Sequence, residues 1–198
     1  DIIHQNLTVE EVLRYACQLR LPPDTDINEA INSTLEQIKL SHVQNTLVSR
    51  LSGGQRKRVS IGVELLADPK LFFLDEPTSG LDPGLDKEMM QLLREQADRG
   101  RTIALVTHAT DNIGICDRIA FLGLGGNLCY YGPPDEALAF FQRNGGYFEN
   151  EHFGDFADIY IELNKGKNKA AIAQRVSYWA QKYANSNEYK SYIQNSLS

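Results

Sequence analysis

The sequence predicts an α/β fold, in which an all-helical segment precedes a parallel sheet. Apolar residues recur at helical spacing through the first third of the chain, whereas from about residue 70 short apolar runs alternate with amphipathic helical patterns. Strands that alternate with helices in this way are typical of an α/β sheet. The composition, 42% hydrophobic and 23% charged, is that of a globular chain with enough apolar residues for a core.

Three helices are predicted in the first third of the chain. Thr8 followed by Glu11 is a capping box that starts the first helix. A second helix starts at about Asp26, and a third starts at Ser52, where Gln55 completes another capping box. The first two helices each present one apolar face. The residues of these faces are Val9, Val12, Leu13, Ala16 and Leu19 in the first and Ile27, Ala30, Ile31, Leu35 and Ile38 in the second.

Two strands and the helix between them are predicted next. Residues 71–74 form a continuous apolar run, which is expected for a parallel strand that is covered on both faces. Asp82 and Pro83 supply an N-cap and a proline at the first helical position of the helix that follows. Residues 102–107 are predicted to form a second buried strand.

The last part of the chain is predicted to contain a hairpin and a helical tail. Residues 118–124 and 127–131 read as a hairpin joined by two glycines. The tail from about residue 165 is rich in polar residues and has one apolar stripe at helical spacing. We therefore expect this stripe to dock on other protein and not to stay in solvent. Two outcomes remain open: the stripe packs on its own domain, or it connects to a membrane domain. The stripe consists of Ile172, Val176, Trp179, Ala180 and Tyr183.

Composition excludes several functional classes. The net charge of −6 argues against a general nucleic-acid-binding surface, although it leaves a nucleotide site possible. Three cysteines without metal-ligand spacing fit a reducing, cytosolic setting. The longest apolar runs are strand-sized, well below the roughly 20 residues of a membrane span. The chain opens at Asp1 with neither an initiator Met nor a signal peptide, and we expect it to be part of a longer one.

The run Leu51-Ser52-Gly53-Gly54-Gln55 has the chemistry of an anion-binding helix start. Its two glycines leave backbone N–H groups accessible, and the helix dipole adds a positive partial charge there. The cations at residues 56–58 would normally be disfavoured in a first helical turn. This local conflict indicates that their charge serves something other than the stability of this helix.

Two acids and a histidine are predicted to meet at one edge of the sheet. Asp75 and Glu76 end the first strand, and His108 ends the next, where ligands of open α/β sheets bind. One acid is suited to hold Mg²⁺ through its water shell, and the other is suited to orient a nucleophile. The imidazole of His108 is suited to donate a hydrogen bond to a phosphate oxygen.

In order and spacing, these residues resemble the ATP-binding domains of ABC transporters. Residues 51–55 are similar to the signature motif, residues 71–76 to the Walker B strand, Ser79-Gly80-Leu81-Asp82 to the D-loop and His108 to the switch histidine. The resemblance covers the chain from residue 1 to about Gly145. It implies a partial P-loop NTPase (RecA-like) parallel sheet with the ABC helical subdomain, truncated at the N-terminus, because no G-x-x-x-x-G-K-[ST] loop occurs in these residues.

The resemblance implies that the chain binds ATP and Mg²⁺. Such domains dimerise head to tail, so the run Ser52-Gly53-Gly54-Gln55 would contact nucleotide held by a partner domain. Asp75 would support Mg²⁺ through water, and Glu76 would polarise the attacking water. His108, as the switch histidine, would donate a hydrogen bond to a γ-phosphate oxygen. Asp82 of the D-loop would couple the two sites. Without the phosphate loop, the fragment is expected to be inactive alone.

A finer similarity points to the G (White) subfamily. It is carried by residues 56–65, by Tyr131-Gly132-Pro133 and by residues 156–160. This similarity implies a transmembrane domain that follows in the same polypeptide, with the ATPase domain on the cytoplasmic side of the membrane. The implied division is a helical subdomain at residues 1–66, the ATPase core at 67–145 and a helical extension at 146–198.

Two other functions stay open at the level of sequence. One is a soluble, non-transport ABC ATPase of the translation or DNA-repair type, and no sustained heptads of the repair type occur in these residues. The other is a degenerate regulatory subunit without catalysis, which the presence of Glu76 and His108 argues against. No role with nucleic acid is expected for the leading hypothesis.

Overall fold

The computed structural model describes residues 3–145 and 153–196, and the chain divides into two compact units, Asp1–Ala109 and Thr110–Ser198. The division into three segments expected from the sequence stays a prediction. Residues 146–152, at the start of the expected extension, lie outside the described residues.

The first unit opens with three helices whose starts the sequence predicts correctly. Thr8, Asp26 and Ser52 are the N-caps, and Thr8 and Ser52 each form the expected capping box. The helices are α1 (Val9–Arg20), α2 (Ile27–Gln37) and α3 (Gly53–Leu65).

These three helices pack on one another around a shared apolar core. Val9, Leu13, Leu35 and Val59 are almost completely buried there. Leu19, which the sequence places on the apolar face of α1, is 86% exposed, so that prediction is wrong. A Cβ added at Gly62 of α3 would lie 2.8 Å from the Ile38 side chain, so glycine is what allows this close contact.

A parallel pair of strands completes the first unit. Strand β1 (Leu71–Asp75) pairs in parallel with β2 (Thr102–Val106), and α4 (Pro83–Asp98) connects them. The expectation that both faces of these strands are covered is wrong for the described residues. Phe72 is buried, but Phe73 is 76% and Val106 is 66% exposed on the opposite face. The reason is that, within the described part of this unit, the sheet has two strands and helix packing on one face.

The second unit contains an antiparallel hairpin and three main helices. The hairpin has a register irregularity between Phe121 and Leu122 and a turn at Leu124–Gly126, as the two glycines predict. After the last main helix, a short helical segment covers residues 187–194. The main elements are β3 (Ile119–Gly123), β4 (Asn127–Gly132), α5 (Pro134–Asn144), α6 (Phe156–Asn164) and α7 (Lys169–Ala184).

The apolar stripe of α7 packs into the core of the second unit, which confirms that the tail docks. Val176, Trp179 and Tyr183 are at most 1% exposed and lie among aromatic side chains of α5 and β4. The Trp179 ring stacks at a tilt on Phe141, with ring centroids 4.6 Å apart. Among the helices in residues 3–145 and 153–196, none combines the length and apolarity that crossing a bilayer requires.

Candidate functional site

The two acids follow each other at the carboxyl end of β1. Asp75 is the last residue of the strand and is exposed, and it lies opposite Val106 in the register of the sheet. Glu76 continues the ladder, because its N–H donates to the Val106 carbonyl oxygen at 2.8 Å. Its φ of 48° is in the left-handed region, where a non-glycine residue costs about 1–3 kcal/mol. Such strain persists only where the surrounding structure holds it.

The carboxylate of Glu76 and the imidazole of His108 are in direct contact. His108 Nδ1 lies 2.7 Å from Glu76 Oε1. A carboxylate only accepts hydrogen bonds, so this contact assigns the proton to Nδ1. In the neutral imidazole Nε2 is then an acceptor, and it becomes a donor only when the ring is protonated. The sequence brings the two residues to one edge correctly but gives no indication that they bond to each other.

Thr107 is a further contact of the acid that sequence reasoning missed. Its hydroxyl donates to Glu76 Oε2 at 3.5 Å and accepts from the Ala109 N–H at 3.0 Å. Thr107 therefore lies between the acid and the chain that leaves β2. Its position directly before His108 at the predicted strand end was the available indication.

The start of α3 has the geometry that its sequence predicts. The Ser52 hydroxyl accepts from the Gln55 N–H at 3.2 Å, and Gln55 Oε1 accepts from the Ser52 N–H at 2.9 Å. Ser52 and Gly53 are exposed, whereas Gly54 is buried beside Leu85 of α4. Because it accepts in the capping box, the Ser52 hydroxyl keeps its own proton for a hydrogen bond outward.

The three cations after the signature run bind acceptors within the first unit. Arg56 donates to the Leu51 carbonyl oxygen at 3.0 Å, and Arg58 pairs with Glu88 at 2.6 Å. Lys57 reaches the chain after β1. Lys57 and Arg58 thus connect α3 to the chain after β1 and to α4, whereas the Arg56 contact is local to the start of α3.

The D-loop run forms a turn and then the start of α4. Gly80 has a φ of 74°, which glycine adopts without steric cost. Asp82 caps α4, because its Oδ1 accepts from the N–H groups of Gly84 and Leu85, both at 3.0 Å. Ser79 is exposed and Leu81 is half-buried.

The residues present fit a magnesium ion that is held mainly by water and substrate. Within the described ranges, no group of three or more His, Cys, Asp and Glu side chains could enclose a metal ion. Mg²⁺ commonly keeps several waters and binds one or two carboxylates together with substrate phosphates. The exposed carboxylate of Asp75 matches that kind of site.

A separate groove of about 930 Å³ lies elsewhere on the first unit. It is lined by residues of α1 and α3 and includes Tyr15, Leu19 and Leu74. Arg20 and Glu64 also line it and form a bidentate ion pair, in which the guanidinium nitrogens lie 2.9 and 3.0 Å from the carboxylate oxygens. None of the acids, the histidine or the signature residues lines it, so this groove is separate from the candidate site.

Comparisons with known proteins show which family this chain is similar to. A sequence model of the family described as "ABC transporter" matches residues 1–79. An ABC transporter ATP-binding/permease protein of Mycobacterium tuberculosis is 47% identical over 139 residues, which is 69% of this chain and 16% of that protein. ABC transporter G family member 28 of Arabidopsis thaliana is 36% identical over 188 residues, or 90% of this chain and 17% of that protein.

A solved structure is similar as well. It is cbiO1 of Clostridium perfringens, described as part of the ABC transporter complex cbiONQ, with 30% identity and a TM-score of 0.63. The similarity covers 70% of this chain and 56% of that one. The chain thus spans about a sixth of the two curated relatives and over half of the solved chain.

Proposed function

The chain belongs to the family of ABC transporter ATP-binding domains, and within it to the G family, and from that premise we propose that in the intact protein it hydrolyses ATP to drive transport across a membrane. The observation that carries the proposal is the Glu76–His108 pair at the end of β1, with Asp75 beside it. Two acids and an imidazole at the carboxyl edge of a parallel sheet suit phosphoryl transfer to water.

Glu76 is the proposed catalytic carboxylate that orients and polarises the attacking water. Its side chain is 32% exposed, so a water molecule can reach the carboxylate. Asp75 is the proposed support for Mg²⁺, which when bound neutralises charge on the phosphates. His108 is the proposed contact to the γ-phosphate, and it can donate from Nε2 when the ring is protonated or from Nδ1 after leaving Glu76.

The signature run is proposed to bind ATP that a second ABC ATPase domain holds. Ser52 and Gly53 are exposed at the start of α3, where the free N–H groups and the helix dipole favour a phosphate. Gly54 and Gln55 complete this contact, and the D-loop residues Ser79, Gly80, Leu81 and Asp82 connect it with the second site. Head-to-tail dimerisation, driven by ATP, is therefore part of the proposal.

The proposed partner besides the second domain is a transmembrane domain, C-terminal in the same polypeptide. The similarity to a G family member and to a protein named as ATP-binding/permease supports this arrangement. Since the chain spans 16–17% of those relatives, most of such a protein lies in other segments. The ATPase domain would then lie on the cytoplasmic side of the membrane.

Replacing the proposed catalytic carboxylate tests this function. In the intact protein, Glu76→Gln should lower ATP hydrolysis by about 10²–10⁴-fold while ATP binding persists, because the amide keeps the size but loses the charge that accepts a proton. Phosphate release and nucleotide binding are the two measurements. Glu36→Gln on the exposed side of α2 is the matched control and should keep the wild-type rate. A Glu76→Gln protein that retains half of the rate would place catalysis elsewhere.

A further inference from the structure

Lys57 connects α3, the helix that begins within the signature run, to the segment that carries the proposed catalytic carboxylate of Glu76. Its ammonium donates to the Ser79 carbonyl oxygen at 2.6 Å and to the Glu76 carbonyl oxygen at 3.3 Å. The side chain is half-buried; burial lowers the pKa of the ammonium, and the negative charge of Glu76 opposes that shift. Its neighbours Arg56 and Arg58 bind other acceptors, so Lys57 is the cation of this run that contacts the turn.

A backbone N–H and the Lys57 ammonium both donate to carbonyl oxygens of the turn between Glu76 and Ser79. The Ser79 N–H donates to the Glu76 carbonyl oxygen at 3.2 Å, so this oxygen accepts from both Ser79 and Lys57. Lys57 therefore bonds to a carbonyl oxygen at each end of the turn. A charged donor makes stronger hydrogen bonds than a neutral one, roughly twofold in strength.

The direction of the Glu76 carboxylate follows from the backbone that this turn holds. Glu76 has a φ of 48°, an unfavourable conformation for a residue with a Cβ, and a local release of the turn would let it relax. Its carboxylate would then leave the position in which it meets His108 at 2.7 Å. A misplacement of about 1 Å at a reacting group can lower a rate by about 10²-fold.

The geometry points to Lys57 as a positioning residue that sets the Glu76–Ser79 turn from the signature helix. This inference rests on the proposed function, because it gives Lys57 a role only if Glu76 acts on the attacking water. In that setting α3 contacts one nucleotide at its start and, through Lys57, holds the acid that acts on the other. Lys57 thus links the two ATP sites within one domain.

A purely structural role makes a different prediction. If Lys57 only fastened α3 to the chain after β1, its loss would lower stability and leave the turnover of the folded protein unchanged. A positioning role requires kcat to fall while KM for ATP stays near its wild-type value, because Lys57 contacts the acid's backbone. The two roles are therefore separated by kinetics of the folded protein.

The first experiment removes the charged donor from the intact protein. Lys57→Met should lower kcat by about 10–100-fold with KM for ATP changed less than about twofold, and Lys57→Arg should recover part of kcat because it restores a charged donor. Lys87→Met, on the exposed side of α4, is the matched control. Wild-type kcat in Lys57→Met overturns the inference. Should that variant not fold, Lys57→Gln is measured with the same expectation.

The second experiment asks whether Lys57 acts through Glu76. In a Glu76→Gln background, Lys57→Met should lower the residual single-turnover rate by less than about twofold, since residues that act as a unit are not additive. A further loss as large as in the wild-type background overturns the positioning role. If Glu76→Gln itself keeps the wild-type rate, the proposed function fails and the inference fails with it. If Glu76→Gln loses the rate and Lys57→Met keeps it, only the inference is wrong.

Discussion

At the scale of single residues, the conformation of Glu76 is the feature with the most consequence. It is one of three non-glycine residues with positive φ among the described residues, with Lys39 and Asp68. Glu76 differs from those two in carrying a carboxylate that contacts an imidazole at 2.7 Å. Strained backbone clusters at functional positions, and it persists only where the surrounding structure over-determines it. Val106, Ser79 and Lys57 supply those hydrogen bonds here.

The buried thiol of Cys129 gives a prediction for alkaline pH. Burial raises the pKa of Cys129 from 9.0 to about 11. The unfolded thiol ionises near 9.0 while the folded one keeps its proton, so this contribution to stability is present below pH 9 and is lost between about pH 9 and 11. We expect the melting temperature of the chain to fall over this range. In Cys129→Ala, the slope of melting temperature against pH should be less steep.

Cys129→Ala also removes buried volume, which changes the melting temperature at every pH. The slope of melting temperature against pH is therefore the informative quantity, and not the melting temperature itself. Cys116→Ala is the matched control for the loss of a thiol in the same unit. An unchanged slope in Cys129→Ala would assign the alkaline loss of stability to other groups. Tyr183 is one of these, because burial raises its pKa to about 12.

At the scale of secondary-structure elements, α7 is fastened to the second unit by both apolar and polar contacts. Trp179 is completely buried, and its indole N–H donates to Glu162 Oε1 of α6 at 3.2 Å. Arg175, one turn earlier on α7, pairs with the same carboxylate, which is 6% exposed. A buried carboxylate that has both a cation and an N–H donor avoids the cost of an unpaired charge.

Trp179→Ala tests how much this docking contributes. We expect the free energy of unfolding of the chain to fall by about 3–5 kcal/mol, as for large aromatic side chains removed from packed sites. Chemical denaturation measures it, with Ile161→Ala, 59% exposed on α6, as the control that should change little. If Trp179→Ala keeps the wild-type stability and instead uncouples transport from hydrolysis in the intact protein, α7 acts as a connector to the membrane domain.

At the scale of the whole molecule, the candidate site and the docked tail belong to different units. The acids, the histidine, the signature run and Lys57 all lie within Asp1–Ala109, and the aromatic core that holds α7 lies within Thr110–Ser198. The first unit also exposes Phe73 and Val106 on one face of its sheet. Parallel sheets are generally covered on both faces, so this face is suited to contact further protein in the intact molecule.

The 198-residue chain by itself should bind MgATP poorly and should not turn it over. Its sequence contains no G-x-x-x-x-G-K-[ST] loop, and catalysis of phosphoryl transfer consists mainly of positioning and charge stabilisation around the phosphates. Titration calorimetry and a phosphate-release assay measure the two properties. The intact protein is the positive control. Micromolar affinity together with steady phosphate release by the chain alone would contradict this expectation.

The sequence by itself determined where elements begin and which side chains reach one edge of the sheet. Capping boxes at Thr8 and Ser52 act over three residues, so the local pattern contains the whole interaction. Asp75, Glu76 and His108 are brought together by the rule that parallel strands end at the same edge. These predictions needed no knowledge of packing.

Only the tertiary structure decided which groups bond across long separations. Lys57 finds its acceptors 19 and 22 residues away, and Trp179 finds Glu162 17 residues away. The exposure of Phe73 likewise depends on which elements lie over the sheet and not on its own strand. The physical reason is that periodicity and caps report interactions within one element, whereas these contacts depend on how separate elements pack together.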